Sequence, residues 1–218
     1  NSAAFSLAKK CTSITEAVKL VGIRGIKNLL YSIGSIRILG NSTGEQKSLW
    51  EHSYRVAFYS YNLARNSLHN RIVTEDAYVC GLLHDLGKIV FSTMHPDLLE
   101  KISKLKTERN IPDKVFDALL AGINHPDIGA ALAEKWNFPP SLIAAIRYHH
   151  AFDNAPTEYH ELAATVCLAD LMTHYGDGGI DFYQIDRKLL DLFGITTESQ
   201  LQKMCASLQS GFESEQRR

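Results

Sequence analysis

A histidine and an aspartate stand side by side, His84-Asp85, at the end of an apolar stretch with the pattern of a buried helix. An ionised carboxylate among Leu, Ile and Val side chains costs several kcal/mol unless it is paired or bound to a metal. Consecutive helical residues point about 100° apart, which suits two side chains that converge on one ion beside the helix. We therefore interpret His84 and Asp85 as candidate metal ligands, against the alternative of an ordinary surface pair or capping arrangement.

Further ionisable side chains fall on the inner faces of predicted helices or at a helix cap. They are His52, His125, His149, His150 and Asp170. His52 lies three residues after Leu49 and four before Val56, on the apolar stripe of one helix. Asp170 lies four residues after Val166 on another. Each alone fits a satisfied core residue, but two adjacent inward histidines are difficult to satisfy in a plain apolar core.

Together these groups predict a binuclear metal site. Imidazole and carboxylate ligands without thiolate suit Fe, Mn, Co, Ni or Zn, and spacing does not choose among them. In the assignment we favour, one ion takes His52, His84, Asp85 and Asp170, and the other takes Asp85, His125, His149 and His150. Asp85 would then bridge two ions about 3.5–4 Å apart, an arrangement that activates water and clamps phosphate in phosphoester hydrolysis. A redox-active di-iron site is a third possibility.

Lys88 lies three residues after Asp85 and can be interpreted in two ways. In one, it is a solvated lysine at a helix end, where the dipole favours a cation and Gly87 terminates the helix. In the other, it lies beside the metals and neutralises a substrate phosphate, so that Lys88 and Asp85 are the candidate catalytic residues. Arg147 is assigned to the surface. Four other histidines are assigned to the surface or to ordinary packing: His69, His95, His160 and His174.

Apolar periodicity and turn residues predict the helices that must position these groups. They cover 1–39 (a broken pair with a capping box at Ser13-Ile14-Thr15-Glu16), 46–68, 75–85, 95–108, 113–121, 126–136, 141–150, 159–174, 183–192 and 197–208. No stretch shows sustained strand alternation. We therefore predict an all-α fold, with a main domain over residues 1–175 and a helical extension over 176–218 that ends in a frayed tail.

Composition narrows the class of protein. A chain of 218 residues can bury a sizeable core without disulfides. Its 23 basic and 24 acidic residues form no basic stripe, so nucleic acid is not an expected partner. No apolar run approaches a membrane span and no signal peptide opens the chain, so no membrane association is expected. The four cysteines lack Cys-x-x-Cys spacing, which is typical of reduced core thiols in a cytosolic protein.

The order and rough spacing of the candidate ligands resemble the HD phosphohydrolase superfamily, and especially the HD-GYP variant whose members hydrolyse cyclic di-GMP. The flanking motifs resemble a narrower relative, the HDOD domain, which is the HD-related output domain of bacterial signalling proteins. These motifs are Asn1-Ser2-Ala3, residues 14–26, Leu49-Trp50-Glu51-His52-Ser53, Gly81-Leu82-Leu83-His84-Asp85, and Trp136 to Pro139 before His149-His150. The resemblance implies an all-α HD-type bundle whose usual first helices are missing before the Asn-Ser-Ala motif.

Two departures from these families bear on function. Many HDOD domains have lost most metal ligands and act as non-catalytic modules, whereas this sequence retains the full set. Conversely, residues 151–156 follow His149-His150 without the Gly-Tyr-Pro motif, which argues against hydrolysis of cyclic di-GMP. The resemblance implies a bacterial, cytoplasmic signal-transduction module that binds two transition-metal ions and works through signalling protein partners. The alternative is a metal-dependent phosphohydrolase acting on a nucleotide or other small phosphoester, and fold analogy alone does not establish turnover.

Overall fold

The structure is a computed structural model that describes residues 44–68, 71–94, 104 and 125–217. These residues form helices and turns with no strand among them, which confirms the predicted all-α fold. The predicted helices at 1–39, 113–121 and, apart from residue 104, 95–108 lie outside the described residues, as do Cys11, His69 and His95. The chain divides into two units, Asn1–Gly44 and Glu45–Arg218, and the second contains the candidate site.

The described helices follow the predicted order, apart from Leu86–Met94, which no predicted helix covers. They are α1 (Gly44–Leu63, followed by the π turn Ala64–Leu68), α2 (Arg71–Leu83), α3 (Leu86–Met94), α4 (His125–Lys135), α5 (Pro140–Tyr148), α6 (His160–Gly176), α7 (Arg187–Leu192) and α8 (Glu198–Gln216). Three single 3-10 turns connect the later helices, at Phe152–Asn154, Thr157–Tyr159 and Phe182–Gln184. Within these residues, no helix has the length and apolar character needed to cross a membrane.

Helix α6 is the centre of the packing. It contacts α2, α5, α7 and α8, and nearly all of its residues from Leu162 to Thr173 are buried. Small residues such as Ala163 and Ala169 let the neighbouring helices approach it closely. A second layer forms where α4 packs between α3 and α5. Because α6 is enclosed, a charged side chain on it, such as Asp170, lies in the interior.

The break between α2 and α3 differs from the prediction. We predicted that Gly87 terminates the helix that contains His84 and Asp85, and this is wrong. Helix α2 ends at Leu83, His84 and Asp85 form the turn, and α3 begins at Leu86. Gly87 lies in the first turn of α3, where a Cβ atom would come within 2.1 Å of the carbonyl oxygen of His125. Glycine is therefore needed for the close approach of α3 to α4.

The C-terminal region also differs in its bounds. The predicted helix 183–192 is divided, because Asp181 caps a 3-10 turn and the side chain of Asp186 starts α7 by accepting from the amide of Lys188. Helix α8 runs to Gln216, through most of the tail for which we predicted fraying. The domain boundary at residue 175 stays a prediction. The three described cysteines are buried and form no disulfide, as predicted for core thiols: Cys80, Cys167 and Cys205.

Candidate metal centre

The structure brings all seven predicted ligands into one cluster. They come from helix α1 (His52), the α2–α3 turn (His84, Asp85), the first residue of α4 (His125), the end of α5 (His149, His150) and the middle of α6 (Asp170). Five of them are almost completely buried, and only the side chains of His52 and His150, exposed by 16% and 30%, reach solvent. Residues distant in sequence thus meet in the interior, as the inward positions on the helices predict.

The two carboxylate oxygens of Asp85 face different groups of histidines. Oδ1 lies 3.1 Å from Nε2 of His125 and 3.7 Å from Nε2 of His149. Oδ2 lies 3.5 Å from Nε2 of His84 and 3.8 Å from Nε2 of His52. Asp85 therefore separates two sets of imidazoles and presents one oxygen to each set, as a bridging carboxylate would.

His84 and His149 are held by the same local device. Each is the residue directly after the last turn of a helix, and its Nδ1 lies 2.7 Å from the carbonyl oxygen three residues earlier, that of Gly81 or Ile146. Carbonyls in the last turn of a helix lack intrahelical partners and can only accept, so Nδ1 must donate the proton. In the neutral rings, Nε2 then carries a lone pair aimed at the cluster, and this second contact orients a metal-binding histidine.

One set contains three histidines. Nε2 of His125 lies 3.0 Å from Nε2 of His149 and 3.2 Å from Nε2 of His150. Two imidazole nitrogens bound at right angles to one ion, each about 2.1 Å from it, would be about 3.0 Å apart. The spacing of these nitrogens is therefore that of neighbouring ligands on a single ion.

The second set is centred on Asp170. Its Oδ1 lies 3.0 Å from Nε2 of His52 and 3.8 Å from Nε2 of His84. Three ligand atoms of His52, His84 and Asp85 also lie within 4.8 Å of one another, as do those of the first set, so that each group could hold a metal ion. Asp170 and Asp85 supply hard oxygen donors that suit a divalent ion.

Three buried atoms of the cluster make no hydrogen bond of ordinary geometry: Nε2 of His84, Oδ1 of Asp85 and Oδ1 of Asp170. Buried polar atoms almost always have a partner, and an exception calls for an explanation such as an ion. The cluster also buries two carboxylates, those of Asp85 and Asp170, and the ammonium of Lys88 pairs with Asp85. Lone pairs without a hydrogen-bond partner and two buried carboxylates both fit bound metal.

Ionisation also suits metal binding. Burial lowers the pKa of His84, and it lowers that of His149 well below its usual range with a further contribution from His150. Burial lowers the pKa of His150 to about 4. Burial alone would raise the pKa of Asp85, but Lys88 and the imidazoles outweigh it and hold that pKa well below its usual range. At neutral pH His84, His149 and His150 are thus neutral imidazoles and Asp85 is an ionised carboxylate, the forms that bind metal.

Lys88 is closer to the cluster than a solvated lysine would be. Its Nζ lies 3.1 Å from Oδ2 of Asp85, and its side chain is only 11% exposed. Lys88 is the third residue of α3, so the explanation that a helix C-terminus favours it is wrong: the nearby helix end is an N-terminus, which favours anions. The ion pair with Asp85 holds the lysine there.

His174 is the site residue that the sequence analysis missed. Its Nε2 lies 3.4 Å from Oδ1 of Asp170, and its ring centroid lies 5.3 Å from that of His52. The signal in the sequence was its position four residues after Asp170, which places both on one face of a helix. By contrast, His160 and Arg147 lie where predicted, near Asp153 and Glu134 toward the surface.

Comparison with known proteins gives two sequence relatives. The chain is 44% identical over 216 residues to an uncharacterized protein of Treponema pallidum (strain Nichols), a match that covers 99% of this chain and 42% of that protein. It is 34% identical over 116 residues to ribonuclease Y of Aquifex aeolicus (strain VF5), covering 53% of this chain and 17% of that enzyme. This chain therefore spans less than half the length of either relative.

A solved structure shares the fold. An HDOD domain protein with unknown function from Geobacter sulfurreducens superimposes with a TM-score of 0.67, over 98% of this chain and 76% of that one, at 21% identity. The family model of the HDOD domain matches residues 1–152, a segment that contains every predicted metal ligand except Asp170. Since this match covers more than half of the sequence, the chain belongs to the HDOD domain family.

Proposed function

We propose that this chain is a regulatory domain that binds two transition-metal ions at the histidine–aspartate cluster and acts through signalling protein partners. The observation that carries the proposal is the division of Asp85, whose oxygens face two separate groups of ligands. Buried atoms without hydrogen bonds in both groups support it. Membership of the HDOD family supports the regulatory role.

Each of the two proposed metal ions has its own set of ligands, with Asp85 shared. One ion would be held by His52, His84, Asp85 and Asp170, and the other by Asp85, His125, His149 and His150. Imidazoles with ionised carboxylates suit Fe, Mn, Co, Ni or Zn, and the ligand set does not choose among these metals. When bound, such ions supply Lewis acidity and lower the pKa of a coordinated water. The backbone contacts of His84 and His149 pre-orient the rings, so that the domain can respond to metal without rearranging its core.

A metal-dependent phosphohydrolase is the second candidate, and Lys88 favours it. A largely buried ammonium beside Asp85 is suited to neutralise a phosphate bound next to the ligands. The partial exposure of His150 leaves one side of the cluster open to a small nucleotide or phosphoester. The similarity to ribonuclease Y also points to phosphoester chemistry.

Elemental analysis tests metal binding. Protein purified without added metal should contain about two transition-metal ions per chain, and Asp85→Ala should lose both because Asp85 contacts both groups. Asp153→Ala is the matched control, since Asp153 is an exposed carboxylate paired with Lys188. Folded wild-type protein without metal, even after dialysis against each of the five ions, would refute the proposal.

Lys88→Ala separates the two functions. If the chain is a hydrolase, this variant keeps its metal but loses hydrolysis of bis(p-nitrophenyl) phosphate and of a panel of nucleotides. If it is a regulatory domain, wild type and variant are equally inactive and retain the same partner binding. Lys188→Ala, which removes a surface lysine in an ion pair with Asp153, serves as control.

A further inference from the structure

The oxygen Oδ1 of Asp170 has more imidazole neighbours than the two-ion assignment uses. Nε2 atoms of His52, His174 and His84 lie 3.0, 3.4 and 3.8 Å from it. The oxygen is buried and makes no hydrogen bond of ordinary geometry. The ligand atoms of His52, Asp170 and His174 lie within 4.8 Å of one another, so they form a third group able to hold an ion.

This group competes with the group of His52, His84 and Asp85 for one atom of His52. The hydroxyl of Thr173 donates to the carbonyl oxygen of Asp170 at 2.8 Å and lies 3.4 Å from Nδ1 of His52. Because the hydroxyl proton is already donated to that carbonyl, the hydroxyl oxygen acts as an acceptor and Nδ1 of His52 is the donor. Nε2 of His52 then carries the lone pair that can bind metal. One nitrogen lone pair binds one ion. An ion can therefore use His52 with His84 and Asp85, or His52 with Asp170 and His174.

The two arrangements differ in their access to solvent. His84 and Asp85 are fully buried. The side chain of His174 is 29% exposed, and that of His52, which the arrangements share, is 16% exposed. The group with His174 therefore lies on the solvent side of His52, and the group with His84 lies on the interior side.

We propose that His174 completes an outer metal position with His52 and Asp170, through which an ion reaches the inner position, where His84 and Asp85 join the same two residues. The proposal rests on the binuclear site of the proposed function and adds a ligand to it. Divalent transition ions are the expected occupants, because the outer group offers two imidazoles and one carboxylate. It also explains why Asp170 is surrounded by more donors than one ion at the inner position requires.

The test removes each position in turn. His84→Gln disables the inner position while keeping a polar side chain of similar size, and His174→Ala is then added to disable the outer one. His84→Gln with His160→Ala is the matched control, since His160 lies on the same helix with a similar exposure of 35% and pairs with Asp153 instead. Each protein is loaded with Co²⁺, desalted and analysed for bound metal, with circular dichroism to check the fold.

We expect about two ions in wild type, in His84→Gln and in its control, but about one in His84→Gln/His174→Ala. Equal metal content in the two double variants would overturn the outer position, and so would the loss of an ion in His84→Gln alone. If wild type binds no metal, the binuclear proposal itself fails, which separates the two failures.

A second measurement covers the case in which His84→Gln does not fold. His174→Ala alone should slow the uptake of Co²⁺, followed by its visible absorption, by about tenfold relative to His160→Ala. The final content should remain at about two ions because the inner position is intact. Uptake as fast as in the control would overturn the role of His174.

Discussion

Two buried regions of this chain differ in how many polar side chains they contain. Around the α2–α3 turn, the interior contains imidazoles and carboxylates, some without hydrogen bonds. Around α7 and α8, the interior is apolar: Leu189, Leu190, Ile195 and Leu201 are almost completely buried. Both regions are largely buried, but only the second buries the apolar side chains that stabilise a fold at least cost.

The C-terminal region satisfies its polar atoms locally. The side chain of Thr197 accepts from the amide of Gln200, and the side-chain oxygen of Gln200 accepts from the amide of Thr197. These two bonds form a capping box at the start of α8. Asp181 and Gln184 form the same motif at the 3-10 turn that precedes α7. A region built this way gains stability from each contact and needs no ligand. This contrast supports the proposed binding role of the polar cluster, since local rules of polar pairing are broken mostly at functional sites.

Removal of metal should have the largest effect and should act on the cluster. With free metal at a thousandfold excess over Kd, binding stabilises the native state by about 4 kcal/mol. Chelation should lower the free energy of unfolding by a similar amount in wild type and not in Asp85→Ala, as measured by urea unfolding. Hydrogen exchange should accelerate in α3 and α4 and hardly in α8. Equal loss of protection in α8 would erase the distinction between the two regions.

Leu190→Ala should show the reverse pattern. Leu190 is 1% exposed, and removal of its side chain should cost about 2–5 kcal/mol of stability while leaving the metal content unchanged. Leu192→Ala, two residues along the same helix at a site 37% exposed, should cost far less. Urea unfolding and elemental analysis of the same samples test this. A loss of metal in Leu190→Ala would show that the two regions are coupled.

Gly87→Ala should affect both stability and the site. An alanine Cβ would lie 2.1 Å from the carbonyl oxygen of His125, so α4 must move, at a cost of about 1–3 kcal/mol. Because His125 moves with it, the set of three histidines should lose its ion. Gly176→Ala, where nothing lies within 4 Å of the new atom, is the control. Full metal content in Gly87→Ala would mean that this close approach does not position His125.

Thr197→Ala should have the smallest effect. Loss of the capping hydroxyl should lower stability by about 1 kcal/mol, with metal content unaffected. Ser199→Ala, an exposed position in the first turn of α8, provides the comparison in thermal unfolding. A change in metal binding would contradict the separation of local capping from the cluster.

Part of the site could be predicted from the sequence, because helical periodicity indicates which residues point inward. His52 and Asp170 share stripes with apolar residues, and a helical period of 3.6 residues then requires them to point inward. The turn at His84-Asp85 was harder, because Gly87 has the usual signature of a helix end, while its real use is contact with α4. His174 was missed because it lies in the last turn of α6 with a partly exposed side chain, where a histidine is ordinarily a surface residue.

The sequence by itself determined the all-α class, the inward position of seven ionisable groups and their membership of one family pattern, because helical periodicity and motif order are local properties of the chain. Only the tertiary structure decided which oxygen of Asp85 faces which histidines, that Lys88 pairs with Asp85, and that His174 joins Asp170. These depend on how α1, α4, α5 and α6 pack around one turn, and distances between helices remote in sequence are set by packing, which periodicity does not encode.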